Sequence, residues 1–168
     1  MAARTLISVE EYLETSYRPD RDYVDGEVVE RNLGTRDQGW LQAAVGAYFF
    51  NRRRQWNITV MTGLRIRVKA TRVRIADVCV ILGDPDEQVP TKPPFICIEV
   101  LSPKDRMKRV QERIADYLEM GVPYVWVLNP ETKQAYAATP AEGLREVKTG
   151  VLKTESPALE VPLGEIFA

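Results

Sequence analysis

The sequence contains no histidine. That absence excludes Ser-His-Asp and Cys-His catalysis, zinc hydrolases that hold their ion with imidazole, and nucleases that use a histidine base. Only two cysteines occur, Cys79 and Cys97. They lack the paired spacing of a zinc site, and each falls in an apolar run where a small hydrophobe would sit, so both are expected to be free, buried thiols. No glycine-rich phosphate loop is present: Gly34 stands alone, and Gly83 breaks the chain at an ordinary turn. No apolar stretch approaches the roughly 18 residues of a membrane span, and a cytoplasmic protein without a membrane partner is expected. Chemistry is left to carboxylates, lysine, arginine, tyrosine and the backbone. An all-oxygen site selects hard ions, so Mg²⁺ or Mn²⁺ is favoured over Zn²⁺ or Cu²⁺.

In bulk the chain is ordinary: 168 residues, 45% hydrophobic and 28% charged, the proportions of one α/β domain spanning 1–168 with a real core. It is unusual in two places. A carboxylate interrupts each of two strongly apolar runs, Asp77 within 74–82 and Glu99 within 95–101. An ionised carboxylate taken out of water costs several kcal/mol unless a cation or donors meet it. Two of them in one small core ask for a partner, and a divalent metal is the first candidate.

Ser8-Val-Glu-Glu11 has the form of a capping box, with Ile7 and Tyr12 placed as a hydrophobic staple, so a short helix should begin there and end before Pro19. Asp25-Gly26 predicts a tight hairpin turn with Glu27 leading a strand or just past the turn. Trp40, Leu41, Ala44, Val45, Tyr48 and Phe49 recur at helical spacing and predict a helix from Asp37 to about Gln55, with Trp40 in the core. Strands are expected at 58–61, 64–69, 74–82 and 95–101. Ser102-Pro103 and Gly121 suit the two ends of a helix of roughly five turns. Strands at 124–129, holding a buried Trp126, and 134–138 follow. This order points to a mixed sheet flanked by helices.

Residues two apart share a strand face, so Asp77 lies with Cys79 and Glu99 with Cys97. If the two strands are neighbours, the carboxylates converge. On the following helix, Val110, Ile114, Tyr117, Leu118 and Gly121 form the apolar stripe, while Arg113, one turn before Tyr117, can reach toward the sheet. A metal, two carboxylates and a cation are the minimum set for hydrolysing a phosphodiester. The same residues equally fit a structural Arg-Asp-Glu network.

Tyr23-Val-Asp-Gly-Glu27, Ile75-Ala-Asp77, Ile98-Glu-Val-Leu-Ser-Pro103, Tyr117 and Gly121-Val-Pro-Tyr-Val-Trp-Val-Leu-Asn-Pro130 together resemble the Uma-two family of endonucleases, within the PD-(D/E)XK, restriction-endonuclease-like superfamily. The resemblance runs from about Ser8 to the C-terminus. It implies a restriction-endonuclease-like core in which Asp77 and Glu99 bind the ion with help from the Val100 carbonyl, with Glu27 as a further acid. The family's Pro-Asp is Ala76-Asp77 here. The lysine expected two residues after the second acid is Leu101, and its role falls to the next helix, where this chain carries Arg113. Arginine keeps the charge but cannot exchange a proton near neutral pH. Gln38 stands where a histidine is frequent in the family.

The formal net charge is −1, yet cations are unevenly placed. Arg65, Arg67 and Lys69 alternate along one strand, Arg72 and Arg74 extend the run, and Arg52-Arg-Arg54 forms a second cluster. Backbone phosphates suit such surfaces, and so does the bland alternative of a solvated strand face. The sequence therefore predicts a Mg²⁺- or Mn²⁺-dependent DNA endonuclease, with a catalytically inactive scaffold of the same fold, binding DNA or protein, as the rival. A homodimer is a further expectation, because enzymes that cut two strands commonly pair.

Overall fold

A computed structural model describes residues 5–32 and 34–167. Ser8 caps α1 (Val9–Leu13) by accepting a 3.1 Å bond from the Glu11 N–H. Asp25 and Gly26 take φ values of +50° and +97°, the left-handed pair that joins two twisted strands in two residues. They connect β1 (Asp22–Val24) to β2 (Glu27–Val29), so Glu27 opens β2.

The long helix is α2 (Arg36–Asn51), separated at Arg52 from a single turn, α3 (Arg53–Trp56), which Asn57 ends in a left-handed conformation. The periodicity suggests one helix across both. At Arg52 the N–H bonds back to Phe49 and Phe50, and the helix does not continue. The buried stripe of α2 is also narrower than its periodicity implies. Leu41, Val45 and Phe49 are buried, whereas Trp40, expected in the core, is 48% exposed.

β3 (Ile58–Lys69) is one continuous strand where two are expected, because Gly63 (φ +60°) bends it without breaking it. It pairs antiparallel along its length with β4 (Arg72–Leu82). β4 pairs in turn with β5 (Ile96–Val100), through Val78–Ile98, Cys79–Cys97 and Val80–Ile96. α4 (Met107–Met120) then crosses over to β6 (Tyr124–Asn129), which runs parallel to β5 as such a crossover permits. β7 (Gln134–Ala138) and β8 (Arg145–Glu146) complete the sheet, ordered β2-β1-β4-β5-β6-β7-β8 with β3 also on β4. A hairpin of β9 (Val151–Lys153) and β10 (Glu160–Pro162) and the short α5 (Leu163–Ile166) close the chain.

Ser102-Pro103 does not start α4. Asp105 turns back, its N–H bonding the Ser102 carbonyl at 3.0 Å and its carboxylate the Ser102 N–H at 2.7 Å. The helix therefore begins four residues later than expected and ends, as expected, at a left-handed Gly121 (φ +109°).

Val78, Val80, Ile96, Ile98 and Trp126 pack with Leu41, Val45 and Phe49 on one side of the sheet. Cys79, Cys97, Val125 and Val127 pack with Val110, Ile114 and Tyr117 on the other. Covering both faces explains why β5 and β6 are apolar without alternation. Each fully buried large side chain contributes about 1.5–3 kcal/mol. Both cysteines are free and buried.

Candidate active site

Asp77 lies where β4 changes phase. Ala76 and Cys79 both pack toward α4 although they are three residues apart, and on β3 the bent Gly63 sits between Thr62 and Leu64, the partners of Val78 and Ala76. The β4–β5 ladder ends at the Val78–Ile98 pair, immediately before the acids. There the Asp77 carboxylate takes over from the backbone: its Oδ2 accepts a 2.7 Å bond from the Val100 N–H. Glu99, one residue earlier on β5, faces α4, where its Oε1 accepts a 2.8 Å bond from the Tyr117 hydroxyl.

Two guanidinium groups meet these acids. Arg31, in the segment after β2, puts Nη2 3.0 Å from Asp77 Oδ1 and 3.9 Å from Glu99 Oε2, with Nε 3.8 Å from Asp22 Oδ1. Arg113 of α4 lies 3.6 Å from Glu99 Oε2 and 3.7 Å from Asp105 Oδ1. Asp105 also accepts a 2.8 Å bond from Asn32. Burial and the neighbouring Asp77 push the Glu99 carboxyl up to about 8, although Arg113, Arg31 and Tyr117 pull the other way. Burial works against the Arg31 charge, but Asp77, Glu99 and Asp22 outweigh it and raise its proton affinity. Tyr117 is likewise raised, by burial and by Glu99.

Above the acids lies a cleft of about 230 Å³, lined by Glu27, Arg31, Asp105, Arg109 and Arg113 among others; neither Asp77 nor Glu99 lines it. The acids thus sit behind the two arginines. Gln38, on the first turn of α2, donates a 2.9 Å bond to the Val100 carbonyl from the opposite side. Glu27, from β2, lines the same cleft as Arg31 and Arg113.

Among the described residues no three acid or thiol side chains form a ready metal cage. The donor set nonetheless fits a hard divalent ion. Asp77, Glu99 and the Val100 carbonyl offer oxygen only, and Glu99 Oε2 is buried without a hydrogen-bond donor. Mg²⁺ characteristically uses one or two carboxylates and leaves its other positions to water and substrate phosphate.

The strand cations are not brought together as one open face. Arg65 forms a bidentate pair with Asp20 at 2.6 and 2.8 Å and lies over the Tyr12 ring. Arg72 bonds Asp25 and Asp116, and Lys69 pairs with Glu119 at 3.0 Å. Arg74 is 5% exposed, held between Asp116 at 2.7 Å and Asp22 at 3.2 Å. Arg67 bonds the Ala70 carbonyl. Sequence pattern does not place Arg31, Asp22, Asp105 or Asp116 in a site. Asp116 carries a signal, three residues after Arg113 and beside Tyr117 on the inward border of the stripe. Arg31 lies in an aperiodic connection that carries none.

Residues 9–166 match the family described as "Putative restriction endonuclease" (Uma2). The fold is similar to the crystal structure of a "putative nuclease belonging to DUF820" from Anabaena variabilis, with a TM-score of 0.81 at 17% identity, covering 96% of this chain and 97% of that one. A comparison with the curated proteins finds no match.

Proposed function

Starting from the fact that this chain belongs to the Uma2 family, described as "Putative restriction endonuclease", we propose that it is a Mg²⁺- or Mn²⁺-dependent DNA endonuclease whose site is built on Asp77 and Glu99. The observation that carries the reading is the convergence of these two buried acids where the β4–β5 ladder ends, with one Glu99 oxygen lacking a donor. Such an arrangement lowers stability unless a charge-neutralising partner compensates for it.

Asp77, Glu99 and the Val100 carbonyl hold the ion. When bound, it supplies an activated water and neutralises charge on the phosphoryl oxygens. The remaining work falls to side chains of this chain. Tyr117 fixes the rotamer of Glu99, and Gln38 orients the Val100 carbonyl from behind. Arg113 stabilises charge developing on the scissile phosphate without exchanging a proton. Glu27 borders the cleft as a further acid. DNA reaches the site over the start of α4, where Lys104, Arg106 and Lys108 are all exposed, together with those strand cations whose charge is not already paired.

A second reading, a catalytically silent scaffold binding DNA or protein, is favoured by one observation: Arg31 already neutralises Asp77. Labelled DNA and RNA duplexes incubated with Mn²⁺, and separately with chelator, discriminate the readings. Cleavage of DNA that chelator abolishes supports the nuclease. Shifts in mobility with no cleavage under any metal favour the scaffold, and preferential cleavage of RNA corrects the substrate.

A further inference from the structure

The seat between the two acids is already taken by a cation belonging to the chain. Arg31 Nη2 approaches Asp77 Oδ1 to 3.0 Å and Glu99 Oε2 to 3.9 Å, and Arg31 lines the cleft from which the acids themselves are hidden. The Arg31 side chain is 19% exposed, against 8% for Asp77 and 3% for Glu99. A guanidinium so placed satisfies part of the charge a divalent ion would otherwise neutralise. Neither oxygen can serve both partners fully.

We propose that Arg31 is a built-in competitor for the metal seat, a gating residue that must leave Asp77 and Glu99 before a divalent ion can enter. This inference rests on the metal-dependent reading above. Its chemistry is simple exchange: the contacts of Arg31 with the two carboxylates are given up, the guanidinium moves into the adjoining cleft, and the ion takes the acids. Because Glu27, Glu30 and Asp105 line that cleft, the displaced cation meets carboxylates there instead of an apolar wall. Arg113 differs in kind. Of the two acids it pairs with Glu99, it is tied to Asp105, and it comes from the regular helix α4. A site built this way binds the ion with an apparent affinity weakened in proportion to the fraction of molecules in which Arg31 still holds the acids.

The test is Mn²⁺ binding by titration calorimetry on the wild type, Arg31→Met and Arg109→Met. Arg109→Met removes an equal charge from the same cleft, where its residue is exposed. Arg31→Met should bind Mn²⁺ at least about tenfold tighter than wild type, a change of about 1.4 kcal/mol. Arg109→Met should stay within about twofold. Equal tightening in both variants, or none in Arg31→Met, overturns the gate and leaves the nuclease reading standing. Absence of Mn²⁺ binding by every protein, with Arg31→Met folded, overturns the metal reading itself. The wild type supplies a measurement that needs no variant: the Arg31 Nε–Hε resonance, followed during Mg²⁺ titration. Movement to a solvent-exposed position with the midpoint of metal binding supports displacement, and an unmoved resonance at saturation overturns it.

Discussion

The Asp77 carboxylate accepts a 2.7 Å bond from the Val100 N–H, so an acid on one strand completes the hydrogen bonding of its neighbour just beyond the last ladder pair. One oxygen of Asp77 is thereby structural, and the other faces Arg31. The arrangement fixes the Asp77 rotamer relative to the Val100 carbonyl, which puts two of the three proposed metal donors on a common rigid frame.

Asp77→Ala is therefore expected to destabilise the metal-free protein by about 3 kcal/mol or more, since it orphans the Val100 N–H and leaves Arg31 without its nearest partner. Asp77→Asn keeps an acceptor for Val100 and should lose less. Urea denaturation without metal measures both. A gain of stability in Asp77→Ala would show that the bond to Val100 and the pair with Arg31 do not support the fold.

Glu99 gives the metal-free protein a pH dependence of definite sign. Its folded value of about 8 lies above the ordinary 4.5, so between those pH values the native chain holds a proton that the unfolded chain has lost. The stabilisation from this group is full below about pH 4.5 and falls as pH rises to about 8. Glu99→Gln keeps the neutral form and the Tyr117 bond, and should flatten that slope. Stability measured from pH 5 to 9 in both proteins checks it. Metal affinity should run the other way, rising toward pH 8 because the ion must displace the proton.

Arg74, Asp22 and Asp116 form a buried ion network beside the acids. Arg74→Leu leaves two buried carboxylates short of a partner and should cost about 3–5 kcal/mol. It should leave the salt dependence of DNA binding unchanged, because Arg74 already pairs internally. Lys108→Ala, at an exposed position on α4, should instead reduce the salt slope by about 1 with little effect on stability. Equilibrium binding at several salt concentrations separates the two.

Arg113→Met should lower kcat by about 100-fold with little change in KM, since the lost contact matters most for charge in the transition state. Arg113→Lys should retain much of the rate, because the compact ammonium keeps the charge. Steady-state kinetics on a labelled duplex reads both. A KM effect with unchanged kcat would place Arg113 in substrate binding.

The part of the site carried by regular elements can be read from the amino-acid pattern alone. Asp77 and Glu99 stand out against apolar strands, and Arg113, one turn before Tyr117 on α4, is expected to reach toward the sheet; it lies 3.6 Å from Glu99, and the Tyr117 hydroxyl donates to the same acid. Arg31 cannot be read this way, because the connection between β2 and α2 has no period from which to infer direction. Asp105 hides the true start of α4 for a related reason: Ser102-Pro103 is a sound helix-start signal, and a side-chain turn overrides it. Trp40 departs from expectation because a helical stripe states which side faces inward and not how wide the covered band is. The strand cations alternate as an exposed face would, yet neighbouring loops and α4 bring acids to most of them.

Whether Asp77 and Glu99 form a metal-dependent cleavage site is decided by conversion of supercoiled plasmid, run with the wild type, Asp77→Asn and Glu99→Gln purified identically. Such a site requires nicking or linearisation by the wild type with Mg²⁺ or Mn²⁺, none with chelator, and loss of at least about 100-fold in each folded variant. Cleavage that persists in both variants, or a wild type that leaves the plasmid intact at every metal concentration, would refute the assignment.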